Sequence, residues 1–199
     1  MLYYRHPLFS IYGQDRSGTH SMEHYLNTKI SPKYDIQPAP RIETVDFDIL
    51  LIRHPYERLN SCERVFRQAH KMRDQAGILG MWQISGFPYM HNIKCENYRI
   101  ILTENMNSYV EGHESGSGER MHYNRWGKPV KHNRDRTKPV QFPHDWYSFD
   151  MSLLSKELEL YNEILNTKEQ ISLEEWQSLV SECERKELET RLESGGTAN

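Results

Sequence analysis

The chain is expected to fold as an α/β domain: a parallel β-sheet flanked by helices, with a long irregular basic loop and a C-terminal helical segment. Three observations predict this. The short apolar runs Leu8–Tyr12, Phe47–Ile52 and Tyr98–Thr103 have the length of buried strands. The first breaks into a glycine-framed loop and restarts as a helix from about Thr19 to Lys29, and the second is followed by a helix opening at Pro55. Strand, helix, strand, helix, strand in that order calls for right-handed crossovers between parallel strands.

The first strand leads into Gly13-Gln-Asp-Arg-Ser-Gly-Thr-His-Ser21. Four residues separate Gly13 from Gly18, the spacing of a P-loop, in which several N–H groups point at one oxyanion. The helix that follows aims its free amides and positive dipole end at the same place. A nucleotide-triphosphate loop ends Gly-Lys-Ser/Thr, whereas this one reads Gly18-Thr19-His20, and its cation is Arg16, inside the loop. A lone glycine pair does no more than end a strand and cap a helix; Arg16 is what turns this one towards phosphate.

Residues Ser31 to Thr44 are rich in proline and polar groups, with a short strand expected at Tyr34–Ile36. The helix from Pro55 carries Glu57 in its first turn and Leu59, Cys62, Phe66 and Ala69 on a core stripe. His54, Arg58 and Ser61 fall on the opposite side. Gly77 to Asn92 reads as an irregular lid or crossover, and Glu111 to Trp146 as a loop without periodicity. Asp150 is placed to cap a helix with Leu154, Leu158, Tyr161 and Leu165 on one stripe. Ser172-Leu-Glu-Glu175 is a capping box that opens a last helix bearing Trp176, Leu179, Val180 and Cys183. The resulting organisation is an α/β domain over 1–166, an amphipathic helix packed on it over 167–194, and a frayed tail over 195–199.

Composition narrows the function classes. The 199 residues carry a formal charge of −3 and 37% hydrophobic residues, ordinary values for a soluble domain and poor ones for bulk nucleic-acid binding. No apolar run reaches membrane-spanning length, so a cytoplasmic protein without a membrane partner is expected. Three well-separated cysteines, Cys62, Cys95 and Cys183, form neither a disulfide framework nor a zinc knuckle. His20 and His24 have the spacing of a helical metal pair, but no third ligand is near them in sequence.

A second constellation follows the middle strand: Arg53-His-Pro-Tyr-Glu-Arg-Leu-Asn-Ser61. A magnesium-dependent P-loop enzyme commonly ends this strand in an aspartate that holds the metal's shell. Arg53 there repels a metal and attracts another phosphate.

Taken together, Asp15-Arg-Ser-Gly-Thr-His20 resembles the 5′-phosphosulfate loop of sulfotransferases, and Arg53 with Ser61, followed by Phe66, resembles their 3′-phosphate motif. Arg99-Ile-Ile-Leu-Thr-Glu-Asn-Met106 is similar to the strand that follows in that family, and Leu158–Leu165 to its late helix, so the resemblance spans about residues 8 to 165. It implies 3′-phosphoadenosine 5′-phosphosulfate (PAPS) as donor, the bisphosphate PAP as product, no metal, and metal-independent in-line transfer of a sulfuryl group to a hydroxyl or amine. The acceptor expected is a carbohydrate or small molecule, with no nucleic acid.

The resemblance also implies site roles. Arg16 neutralises the departing phosphate oxygen; Ser17, Gly18, Thr19, His20 and Ser21 hold the 5′-phosphate; Arg53 and Ser61 bind the 3′-phosphate. Where the family places a glutamate base this chain has Ile36 and Gln37, leaving Asp35, the nearest carboxylate, and Glu43, His20 and His24. His20 combines nearness to the loop with an imidazole that titrates near neutrality. Between Arg120 and Lys138 stand seven lysines and arginines against one acid, Asp135. This segment reads either as a solvated loop or as a basic flap over the nucleotide or an anionic acceptor, with Arg120, Arg125 and Lys128 as further 3′-phosphate ligands and Tyr123 and Trp126 as stacking groups. Two other functions fit the same loop: a P-loop small-molecule kinase, and a non-catalytic nucleotide- or nucleic-acid-binding module.

Overall fold

The computed structural model describes residues 1–59, 61–62, 90, 92–110, 120–123, 129–132 and 151–194, with the backbone alone at 120–123, 129–132 and 151–153. Its centre is a four-stranded sheet in the order β1 (Leu2–His6), β2 (Phe9–Gly13), β3 (Ile49–Ile52), β4 (Arg99–Leu102). β2, β3 and β4 are parallel, with Ile11 opposite Ile49 and Leu51 opposite Ile101. β1 runs antiparallel to β2, Tyr3 facing Tyr12 across the ladder. The sheet is therefore mixed, a correction to the all-parallel expectation: the tight turn at Pro7-Leu8 makes the first strand a hairpin partner, which needs no crossover.

Alternation along the strands feeds two cores, one on each face. Leu2, Tyr4, Ile11, Ile49, Leu51 and Ile101 pack with Met22, Tyr25 and Leu26 of α1 (Thr19–Lys29) and with Trp176, Val180 and Cys183 of α5 (Leu173–Glu193). Tyr3, Tyr12, Leu50, Ile52 and Ile100 pack on the other side with Phe47, Tyr98, and Tyr161 and Ile164 of α4 (Met151–Thr167). Trp176 is completely buried and donates its indole N–H to Tyr109 O at 2.7 Å, which satisfies its one polar atom.

α5 starts where its capping box predicts: Ser172 Oγ accepts from Glu175 N at 3.2 Å, and Glu175 Oε2 accepts from Ser172 N at 3.0 Å. α2 occupies residues 55–59 and 61–62, opening at Pro55. α3 is the single turn Met106–Tyr109. The strand expected at Tyr34–Ile36 is instead a 3-10 turn, Pro32–Tyr34, followed by an isolated bridge from Asp35 to Tyr4. The stretch read as one irregular loop contains a hairpin of β5 (Arg120–Tyr123) and β6 (Pro129–His132), and β5 lies against α1. Phe66, Ala69, the segment 77–89, the cap at Asp150 and the tail 195–199 lie outside the described residues.

Candidate functional site

The site is built at the C-terminal ends of the three parallel strands, where open α/β sheets bind ligands. β2 ends at Gly13, where a Cβ would come 2.7 Å from Thr19 Cγ2 and 3.3 Å from Leu2 Cβ. The strand's end and the start of α1 can approach so closely only across a hydrogen atom. The loop then turns, Ser17 N donating to Gln14 O at 3.1 Å, and visits the left-handed region twice, at Arg16 (φ 68°) and Gly18 (φ 76°). Gly18 caps α1 without a side chain, its carbonyl accepting from Ser21 N and Met22 N. By the geometry of any helix start, the amides of Thr19 and His20 have no intrahelical acceptor.

Ser17 lies fully buried between the two left-handed residues, and its hydroxyl has no hydrogen-bond partner among the described residues. Leaving such a group unmet costs about 1–3 kcal/mol, so a bound oxyanion is a natural partner for it. Thr19 and Ser21 are buried and Arg16, Gly18 and His20 are partly exposed, so all six predicted residues of this stretch share one loop and one helix turn.

The neighbouring strands hold the loop. Arg53, just past β3, donates from Nη1 to Arg16 O at 3.0 Å and from Nη2 to Glu57 Oε2 at 3.2 Å. The arginine expected to meet a phosphate is thus turned onto the loop's backbone. Thr103, just past β4, places its hydroxyl 2.8 Å from Ser17 O and 2.8 Å from Ile52 O. Glu104 accepts from His54 N at 3.0 Å, which fixes the entry to α2. The His54 ring stands edge-on to Tyr56 and Tyr161, each 5.3 Å away. Burial, with the Glu104 charge added, holds the Tyr161 phenol well above its ordinary range.

α2 corrects one expectation. Arg58, placed by spacing on the side away from the core, is completely buried and pairs two-pronged with Glu157 of α4, Nε to Oε1 at 2.9 Å and Nη2 to Oε2 at 3.1 Å. Ser61 is buried on the same helix.

Of the groups considered as base, His20 and Asp35 are brought together by Glu23, a residue that sequence reasoning left out although it stands one helical turn from His20. His20 Nδ1 lies 3.4 Å from Glu23 Oε2. Asp35 is held beside β1 by Ile36 N donating to Tyr3 O, and its carboxylate accepts from Gln37 Nε2 at 3.1 Å. Burial, and then the facing Glu23 carboxylate, push the Asp35 pKa up, against the pull of Gln37 and the Met1 amino group, which pairs with Asp15. The bond to His20 holds Glu23 below the usual carboxylate range. Glu43 is drawn to Arg41 at 4.0 Å, on the 3-10 turn Ile42–Thr44.

A pH dependence follows. A carboxyl whose folded pKa is raised contributes stability that is full below its unfolded pKa and lost as pH rises through the folded value. Asp35→Asn removes that loss. It is expected to shift the urea midpoint upward at pH 7 and to leave it unchanged at pH 3; a lowered midpoint at pH 7 would show that the Asp35 charge stabilises the fold.

Arg120 lies in β5, while Arg125 and Lys128 are outside the described residues. Among the described residues no group of three His, Cys, Asp or Glu could hold a metal ion, no helix is long and apolar enough to cross a membrane, and none of the three cysteines is in a disulfide. A cleft of about 740 Å³, lined by Arg5, Ser10, Asp46, Asp48 and Lys94, opens where β2 and β3 begin, at the other end of the strands from the loop. No family model, curated protein or solved structure matches this chain.

Proposed function

We propose that the chain is a PAPS-dependent sulfotransferase, transferring a sulfuryl group to a hydroxyl or amine. The observation that carries this reading is the loop: left-handed Arg16 and Gly18 bracket a buried hydroxyl with no described partner, at the uncapped start of α1, with a second arginine bonded to the loop's own backbone. The amides of Gly18, Thr19 and His20 and the Ser17 hydroxyl hold the 5′-phosphate, and the two glycines keep side chains out of the turn.

In the reaction the acceptor oxygen or nitrogen attacks sulfur while the bridging phosphate oxygen leaves with the bonding pair. Arg16 meets the charge that gathers on that oxygen. His20 takes the acceptor's proton, with Glu23 fixing its ring and Asp35 behind Glu23. The 3′-phosphate belongs to the Arg53 side of the loop and to the basic segment that begins at Arg120, whose strand runs against α1. A kinase would use the same loop, but Thr19 stands where its lysine belongs.

Calorimetric titration in EDTA with PAP, 5′-AMP and ATP tests the proposal. PAP is expected to bind at least tenfold more tightly than 5′-AMP, about 1.4 kcal/mol. Equal or absent binding overturns it, and ATP binding that appears only with magnesium points to the kinase.

A further inference from the structure

Amides in an anion-binding loop face their ligand only if the carbonyls do not. A trans peptide unit points its C=O and the following N–H in opposite directions. A side chain that draws a loop carbonyl to one side therefore turns the next amide to the opposite side. Two successive carbonyls of this loop are drawn in this way, Arg16 O by Arg53 Nη1 at 3.0 Å and Ser17 O by the Thr103 hydroxyl at 2.8 Å.

The two are not equivalent. The amide that follows Arg16 O belongs to Ser17 and turns back to Gln14 O, so this unit closes the loop on itself. The amide that follows Ser17 O belongs to Gly18, the left-handed cap of α1. Thr103 reaches it from the end of β4, and its one hydroxyl proton is shared between Ser17 O and Ile52 O at the end of β3, 2.8 Å from each, so one buried side chain sits between the loop and the two strand ends. The fit is close. A Cβ on Gly18 would meet Thr103 Cγ2 at 3.3 Å and Met106 Cε at 3.0 Å.

We infer that Thr103 is a positioning residue for the loop: its hydroxyl latches the Ser17 carbonyl inward and so aims the Gly18 amide at the bound oxyanion, while Arg53 holds the preceding carbonyl clear. The inference rests on the reading of this loop as an anion site, and not on the identity of the donor. The buried Ser17 hydroxyl, with no described partner beside the same peptide unit, is an independent sign that a ligand oxygen completes the arrangement.

The test uses the full chain labelled with nitrogen-15 and two probes, inorganic pyrophosphate and PAP, with 5′-AMP as control. In the unsubstituted protein the Gly18 amide resonance shifts as either probe is added. Thr103→Val removes the hydroxyl at nearly constant shape and is expected to weaken both probes about ten- to a hundredfold and to abolish the Gly18 shift. Thr103→Ser keeps the hydroxyl and holds affinity within about threefold.

A folded Thr103→Val chain that binds both probes as before overturns the inference. So does a Gly18 amide that stays still in the unsubstituted protein, an outcome readable even if the valine variant does not fold. A Gly18 response to pyrophosphate that depends on the Thr103 hydroxyl, with PAP no tighter than 5′-AMP, upholds the latch and removes the sulfotransferase reading.

Discussion

Arg58→Ala is expected to cost about 3–5 kcal/mol of stability, because it leaves the Glu157 carboxylate buried with no opposing charge. Both members of the pair are almost inaccessible, at 0% and 1% exposure, and their two bonds are 2.9 and 3.1 Å long. Domains of this size are held by about 5–15 kcal/mol in total, so the loss is a large part of what the fold has. Arg58→Lys does not rescue it, since an ammonium cannot make the planar two-pronged contact. The double replacement Arg58→Met with Glu157→Leu removes both charges together and is expected to regain most of the stability. Urea unfolding of the four chains measures this, and a double variant as weak as Arg58→Ala would show that the charges themselves, and not the unpaired carboxylate, carry the energy. The pair also ties α2 to α4, and α2 begins two residues after Arg53, so the alanine variant is expected to loosen the loop as well as the core.

Why this pair escaped the sequence is instructive, because its partners lie 99 residues apart. Spacing along a helix places Arg58 opposite the Leu59 stripe, and a charged residue there reads as solvated or as half of a structural ion pair, a choice that is settled, and its partner named, only when α4 is known to cover it. Features decided within a few residues were legible: the glycine positions, the bounds of α1, the helix start at Pro55 and the Ser172–Glu175 capping box. β1 was missed because Tyr3 and Tyr4 both pack inward, on opposite faces of a sheet covered on each side, which erases the polar alternation expected of an edge strand. Thr103 and Glu23 illustrate the same limit at the site. A threonine one residue beyond a strand is unremarkable in sequence, and becomes a loop contact only when β4 is set beside β3. Glu23 has meaning only once Asp35 is folded back against α1 by its pairing with β1.

Arg16 joins a charge and a strained backbone in one residue, and two replacements separate them. Its left-handed φ of 68° costs about 1–2 kcal/mol in a residue with a Cβ, and such strain persists where the surroundings over-determine it, characteristically at ligand sites. Arg16→Ala discards the guanidinium and keeps the strain, whereas Arg16→Gly discards both. The carbonyl that Arg53 holds is backbone and survives in either chain. If the residue served the loop's shape alone, the glycine and alanine variants would both bind PAP about as well as the unsubstituted protein does. If the positive charge meets the phosphate, as proposed, both variants lose about ten- to a hundredfold in PAP affinity, the scale of a hydrogen bond to a charged group. The glycine variant should meanwhile unfold at a temperature no lower than the unsubstituted protein, because relief of the left-handed strain offsets the extra backbone freedom of glycine. Calorimetric PAP titration beside thermal unfolding of the three chains separates these cases. Intact PAP affinity in Arg16→Gly would assign the arginine to conformation and leave the charge on the leaving oxygen without a partner in the loop.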